Sequence, residues 1–269
     1  MSKFKIVSFN LRCEWGGDGK NNFLSRAGGI VEKINAEKPQ VIGFQEATDK
    51  NIAFLRSTLK DYTIYFNQRG SDFGGEGVAT AVRNGSLELL SLEFFWLSET
   101  PYVPGSRYEI QSDCPRICQC LLFKLPNGGG LVRVYNNHLD HEGDSARILG
   151  IKQIARRISE DKSRYKSPFF VLGDFNAEPD SETIEFCRKC EEPHMKDLSA
   201  ESGGTFHSYG TLDAKEFPPA EGEAPASKID YIFSDTETAS KPFTLTKWTE
   251  ERNGVYLSDH YPICVEIEL

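Results

Sequence analysis

Short apolar runs of strand length recur along this chain, and nearly every polar residue of interest falls at the end of one. The runs lie at Lys5 to Phe9, Val41 to Phe44, Val78 to Val82, Cys118 to Leu122, Val132 to Tyr135, Phe169 to Leu172, Ile229 to Phe233 and Ile263 to Ile267. Several are rich in Val, Ile, Phe and Tyr, the pattern of strands covered on both faces. Between them, apolar residues at three- and four-residue spacing predict helices over Leu24 to Ala36, Asn51 to Leu59, Ala146 to Ile158 and Thr183 to Lys189. Pro39 follows the first helical pattern and Pro168 precedes the Phe169 strand, where a helix must have ended and extended chain begun. The middle of the chain has strands with no helix between them, so the reading is α/β with mixed sheets rather than an all-parallel doubly wound fold. Two packed sheets with outer helices would bury such strands well.

A length of 269 residues exceeds a typical domain, yet sandwiches and α/β barrels of this size fold as one unit, so residues 1–269 are expected to form a single domain. The longest apolar stretches are strand-sized, far short of the roughly 20 residues a membrane span needs. Met1-Ser2-Lys3 runs straight into the Phe4 to Phe9 strand, leaving no room for the apolar core of a secretory signal. Seven cysteines are an odd number without a disulfide framework, which suits a reducing compartment and a cytoplasmic protein. Cys187-Arg188-Lys189-Cys190 lacks the second cysteine pair of a zinc finger and sits in a helical pattern. A net charge of −9 argues against broad binding to nucleic acid, which needs Lys and Arg to neutralise phosphates.

The strand ends carry the chemistry. Ile6-Val7-Ser8-Phe9 ends in Asn10, Val41 to Gln45 in Glu46, Leu131 to Tyr135 in Asn136-Asn137-His138, and Phe169 to Gly173 in Asp174-Phe175-Asn176; Tyr256-Leu257-Ser258 leads into Asp259-His260. If the segment stays extended, Asp174 and Asn176 share one face while Phe175 points to the core. Glu46 and Asp259 are hard oxygen donors of the kind Mg²⁺, Mn²⁺ or Ca²⁺ prefers. Taken alone, an Asp-x-Asn is usually an Asx turn and an Asp-His usually a structural pair. The set is the signal.

Read in order, Ser8-Phe9-Asn10, Gly43-Phe44-Gln45-Glu46-Ala47, Asn137-His138-Leu139, Leu172-Gly173-Asp174-Phe175-Asn176, Lys228-Ile229-Asp230-Tyr231-Ile232 and Leu257-Ser258-Asp259-His260-Tyr261-Pro262-Ile263 resemble the endonuclease/exonuclease/phosphatase superfamily. The resemblance implies a DNase I-like, four-layered α-β-β-α sandwich with two central mixed sheets and a metal-dependent phosphoesterase site at one end. It implies that Glu46 binds Mg²⁺ or Mn²⁺ with Asn10 and Asp259, that Asp174 and Asn176 position water and a phosphate oxygen, and that His260, oriented by Asp230, bonds the phosphate. His138 would be a second phosphate-facing imidazole. Glu76 resembles an acid that orients that imidazole, with a solvated loop position as the other reading. Arg116 matches a phosphate-binding arginine, with a surface ion pair as its alternative.

Substrates of the superfamily range from nucleic acids to small phosphorylated molecules, so these motifs speak for the reaction and leave the leaving group open. The Phe95 to Pro101 segment with Pro115-Arg116 looks like a poorly characterised bacterial-type branch, and Asn10-Leu11-Arg12 lacks the second amide or acid found in many repair nucleases. The reading is therefore a hydrolase of phosphoester bonds, a phosphodiesterase or phosphatase acting on a small phosphorylated metabolite or nucleotide. The alternatives are a nuclease on single-stranded or damaged nucleic acid, and a silent binding module on the same fold. A glycosidase would use two carboxylates but has no need of the Asp-His ending. Two loops precede strands of interest, Arg69 to Gly77 and Asp213 to Ser227, and Phe94 to Leu97 reads as core or cleft floor.

Overall fold

The computed structural model describes residues 3–15, 17–212, 221 and 223–269, so most of the expected loop at 213–227 lies outside the described residues. Its centre is a pair of six-stranded mixed sheets. The first orders β11 (Phe243–Lys247), β14 (Ile263–Glu268), β1 (Lys3–Asn10), β2 (Val41–Ala47), β4 (Gly77–Arg83) and β3 (Tyr62–Gln68) side by side. The second orders β5 (Glu88–Trp96), β6 (Ile117–Lys124), β7 (Leu131–His138), β8 (Phe169–Asp174), β10 (Asp230–Asp235) and β9 (Met195–Asp197). A hairpin of β12 (Glu251–Arg252) and β13 (Val255–Tyr256) stands apart from both.

Each sheet is built on one parallel pair. β1 and β2 are joined by α1 (Phe23–Glu37), and β7 and β8 by α3 (Asp144–Arg164); the other neighbours in both sheets are antiparallel. A parallel pair needs such a crossover, and the carboxyl ends of its strands open onto a crevice where ligands bind. Here both crevices lie at the same end of the molecule. Asn10 and Glu46 close β1 and its neighbour β2, whereas His138 pairs in register with Asp174 at the ends of β7 and β8. The antiparallel β10 brings Asp230 opposite Asp174, and β14 begins opposite Ser8, so the Asp259-His260 segment enters at the same edge.

Alternation explains why these strands read as unbroken apolar runs. In β1, Phe4 and Ile6 face the layer between the sheets while Val7 and Phe9 face α1 and α2 (Asp49–Thr58). In β8, Phe170 and Leu172 face inward while Phe169 and Val171, followed by Phe175, meet α3 and α4 (Glu182–Lys189). Both faces are covered, so polar interruptions would cost burial free energy at every position. The layers are helix, sheet, sheet, helix, the expected DNase I-like sandwich.

The four helical patterns and eight apolar runs all appear as the elements expected of them. Sequence periodicity passes over β3, β9 and β11 and over most of β5, where burial is partial and the apolar pattern weak. Directly beneath the crevice the two sheets meet through buried amides: Gln45 Nε2 donates to Asn136 Oδ1 at 2.8 Å, Asn136 Nδ2 to the Ala79 carbonyl at 2.9 Å, and Thr80 Oγ1 to Gln119 Oε1 at 2.6 Å. Gly43 makes that approach possible, since a Cβ there would stand 2.3 Å from Leu172 Cδ1 and 2.9 Å from the Asn136 amide.

Candidate active site

Glu46 leaves β2 with φ +50°, at a register shift between Phe44 and Ala47. Arg12 and Asn176, after β1 and β8, also have positive φ, +53° and +47°. Side chains other than glycine adopt this region at a cost of order 1–2 kcal/mol each, and such strain persists where surrounding bonds over-determine it. Those bonds are present. Glu46 Oε2 accepts the Cys13 N–H at 2.9 Å, and its Oε1 accepts Asn10 Nδ2 at 3.2 Å. The same Asn10 nitrogen donates to Asp174 Oδ2 at 2.9 Å, and Asn10 Oδ1 accepts the Arg12 N–H at 2.9 Å. Asn10 thus ties a carboxylate of one sheet to a carboxylate of the other, facing Glu46 with its nitrogen and not with the oxygen expected of a metal ligand. That assignment of amide nitrogen and oxygen follows the hydrogen bonds.

Asp174 is the hub. Its Oδ1 accepts the Asn176 N–H at 2.8 Å, and its Oδ2 lies 3.5 Å from His138 Nε2 and 3.7 Å from His260 Nε2. The chain does not stay extended through Asn176, as alternation about Phe175 requires. It turns on the Asp174 carboxylate, and Asn176 Nδ2 donates to the Leu139 carbonyl at 3.1 Å. An Asx turn satisfies a buried carboxylate oxygen within two residues, which outweighs continued strand here because β10 ends its pairing with β8 at Asp174. Phe175 does pack into the outer core against Tyr231 and Phe233, as expected.

The two imidazoles differ in charge, His260 being held protonated and His138 neutral. His260 is buried, which opposes its cation, but Asp230 Oδ2 sits 2.8 Å from Nδ1 and, with Asp174 and Asp259 nearby, raises its pKa to about 10. His138 is also buried and stands near the cations Arg116, Arg69 and His260, which together push its pKa well below 6.5. Burial and the facing Asp230 raise Asp174 to about 7, against His260, the Asn176 N–H and Asn10. Burial also opposes the charge on Glu46, but the Cys13 N–H, His260, Arg12 and Asn10 outweigh it and leave its pKa below the usual carboxylate value. Asp259 is raised by burial and by Glu46, in spite of His260, Arg12 and the Ser258 hydroxyl.

Glu46 and Asp259 are oxygen donors of the chemistry a hard cation takes. Asp259 is buried and Glu46 partly so, Glu46 raises the cost of charge on Asp259, and the basic side chain acting on both is Arg12, whose Nε is 3.6 Å from Asp259 Oδ2 while its guanidinium bonds Asp18. The ligating atoms of Asp174, Asp230 and His260 also lie within 4.8 Å of one another, but His260 Nδ1 is committed to Asp230 and the cluster is an oriented imidazole.

Glu76 departs from its expected contact with His138, and Arg116 from the surface ion pair that was its alternative reading. Glu76 pairs with Arg69 at 2.9 Å, and among the described residues no hydrogen bond joins it to His138. Its carboxylate is within 4.8 Å of Glu46 and the Cys13 thiol. Arg116 is buried at 4 % exposure and makes no ion pair among the described residues, so the surface reading fails. Its Nη2 meets His141 Nδ1 at 3.0 Å, and its Nε and Nη1 have no partner. Arg12 and Arg69, both half-buried, escape sequence reasoning, because nothing in their local pattern marks the acids they meet.

The family model described as Endonuclease/Exonuclease/phosphatase family matches residues 7–260, from the first site strand to His260. The chain belongs to that family. No curated relative matches it. Among solved structures it is similar to an endonuclease/exonuclease/phosphatase from Bacteroides vulgatus, with 27% identity, 100% of both chains covered and a TM-score of 0.86. It is also similar to a mannosyl-6-phosphatase from Bacteroides thetaiotaomicron, with 24% identity over 99% of this chain and 100% of that one and a TM-score of 0.80. TDP2 from D. rerio, complexed with single strand DNA product, shares 17% identity, 100% of both chains and a TM-score of 0.70. The last two likenesses speak for the fold. The family's phosphoesterase fold is therefore the frame in which the buried acids and imidazoles of this chain are placed.

Proposed function

We propose that this chain is a divalent-metal-dependent hydrolase of phosphoester bonds acting on a small phosphorylated metabolite or nucleotide. The observation that carries the reading is Asp174 set between a charged and a neutral imidazole beside Glu46. Glu46 and Asp259 would hold Mg²⁺ or Mn²⁺, with Asn10 fixing the Glu46 carboxylate and joining it to Asp174. When bound, such an ion supplies positive charge to a phosphoryl oxygen and stabilises the charge that grows there in the transition state.

Asp174, ionised, orients a water and accepts its proton, its second oxygen being held by the Asn176 N–H. His260, kept protonated by Asp230, donates from Nε2 to a phosphoryl oxygen, and the charge-assisted bond strengthens as that oxygen becomes more negative. His138, neutral, offers a second donor from the other side of Asp174. Asn176 supports the phosphate side, although its amide nitrogen bonds Leu139 in the arrangement described.

Several further features support the same reading. The two sheets share one apolar layer, as expected of one domain over residues 1–269. The net charge of −9 disfavours a nucleic-acid groove. All seven cysteines are free, five of them buried, which suits a reducing, cytoplasmic setting. No helix among the described residues is long and apolar enough to cross a membrane.

The test is turnover of a generic phosphodiester, a phosphomonoester and single-stranded DNA with Mg²⁺, Mn²⁺ or excess EDTA. Metal-dependent cleavage of at least one, abolished by EDTA and restored by metal, is expected. Turnover that survives EDTA would remove the metal from the mechanism.

A further inference from the structure

One fixed cation stands among the acids proposed for the metal. Arg12 lies two residues beyond the end of β1, and its guanidinium grips Asp18 with two nitrogens, Nε to Oδ2 at 3.3 Å and Nη2 to Oδ1 at 3.2 Å. The same Nε is 3.6 Å from Asp259 Oδ2, so it is shared between two carboxylates. Burial opposes the charge on Arg12, but Asp18, Asp259 and Glu46 outweigh it and hold the guanidinium above the usual arginine value. Three carboxylates thus act on one positive charge.

That position is built from several sides. Arg12 has φ +53°, its N–H donates to Asn10 Oδ1 at 2.9 Å, and its carbonyl accepts Arg26 Nη2 at 3.1 Å. Arg26, from α1, is 1 % exposed and its Nη1 donates to the Leu11 and Leu257 carbonyls at 2.9 and 2.7 Å, which clamps the end of β1 to the segment that carries Asp259. Asp18 is held from the other side, its side chain 9 % exposed and its Oδ2 accepting the Tyr209 hydroxyl at 3.4 Å. A surface pair of arginine and aspartate contributes little and needs no such frame. Here a strained backbone and a buried arginine aim one guanidinium at Asp259.

We propose that Arg12 is the permanent second cation of this site, a positioning residue that neutralises Asp18 and Asp259 and limits the chain to one divalent ion beside Glu46. The proposal rests on the metal-dependent reading of the same site. Enzymes with two divalent ions hold them roughly 3.5–4 Å apart, as a clamp on the attacking and leaving oxygens. A guanidinium wedged between Asp18 and Asp259 occupies the room that a second ion would need and supplies positive charge there without exchanging with solvent. Removing it leaves two hard oxygen donors uncompensated, and a second Mg²⁺ or Mn²⁺ then takes its place.

The experiment counts ions without substrate. Calorimetry with Mn²⁺ gives the number bound, and electron paramagnetic resonance of the same samples shows whether two ions lie close enough to couple. Wild type should bind one Mn²⁺ with an uncoupled signal. Arg12→Gln should bind two, with the coupled spectrum of ions roughly 4 Å apart. Arg12→Lys keeps the charge and should bind one, and R12Q/D18N should return to one because a donor to the second ion is gone. Should Arg12→Gln fail to fold, Arg12→Gly accepts the positive φ without strain and should likewise bind two. A coupled pair in wild type, or a single uncoupled ion in the folded Gln or Gly variant, would overturn the proposal. Wild type that binds no Mn²⁺ would defeat the metal-dependent reading, and the proposal with it. The expected ion counts in a protein that turns over no phosphoester would uphold the role of Arg12 and defeat the hydrolase reading instead.

Discussion

His260 and His138 approach the same oxygen of Asp174, at 3.7 and 3.5 Å, and both are almost wholly buried, yet one is held as a cation and the other as a neutral ring. Burial disfavours charge on each of them. The difference lies in what stands behind the ring. Asp230 meets the far nitrogen of His260, whereas the charges that act on His138 after burial are those of the cations Arg116 and Arg69. One imidazole is thereby a strong donor toward anionic oxygen, and the other is a donor that adds no charge of its own. A site with two cationic rings around Asp174 would attract phosphate more strongly, but it would also pull Asp174 into permanent ion pairs and weaken it as a base.

Removing either member of the charged half should have the largest effect. Asp174→Ala and His260→Ala are each expected to lower kcat by roughly 10³-fold or more while circular dichroism shows an intact fold. Full activity in either variant would end the assignment. Asp230→Asn tests what makes the rings differ. With the carboxylate gone, His260 should lose most of its elevation, so the alkaline limb of kcat/KM, expected near pH 10 in the wild type, should move toward neutrality, with kcat down about 100-fold at pH 8. An unmoved limb would mean that Asp174 and Asp259 alone hold the proton.

Smaller effects are expected of the neutral ring. His138→Gln keeps a donor of similar reach and should cost about tenfold in kcat/KM without shifting the alkaline limb. A shift would show that His138 titrates with its partner. The comparison also appears in stability. A folded-state pKa raised above the unfolded value of 6.5 stabilises fully below that pH and progressively less as pH rises toward about 10. The melting temperature of the wild type should therefore fall more steeply between pH 7 and pH 10 than that of Asp230→Asn. Parallel slopes would indicate that the His260 proton contributes nothing to folding.

Much of this was legible in the sequence. Strands covered on both faces must be apolar at every position, so β1, β2, β7 and β8 stand out as unbroken runs, and the residue after each run is where a side chain can leave the core. That placed Asn10, Glu46, His138 and Asp174 at one edge before any coordinates. The Asp230 strand and the Asp259-His260 ending were legible as part of the family pattern, and the family match bears out that pattern. The weakly apolar edge strands β3, β9 and β11 were not legible, because strands exposed on one side carry little periodic signal over so few residues.

Tertiary structure decided the rest. Residues distant in sequence set the charges: Asp230 charges His260 across 30 positions, and burial together with Arg116 and Arg69, which flank the ends of two other strands, keeps His138 neutral. Glu76 was captured by Arg69 at the mouth of its own loop, and Asn176 was turned aside by the carboxylate two residues before it. Arg116 reads in sequence as a phosphate-binding arginine by resemblance, with a surface ion pair as the alternative, and only packing shows it buried with its Nε and Nη1 lacking partners. Sequence alone determined which side chains stand at the crevice, since apolar periodicity is a local property. Their protonation and partners were left to the fold, because desolvation and Coulomb interactions depend on distance through space and not on separation along the chain.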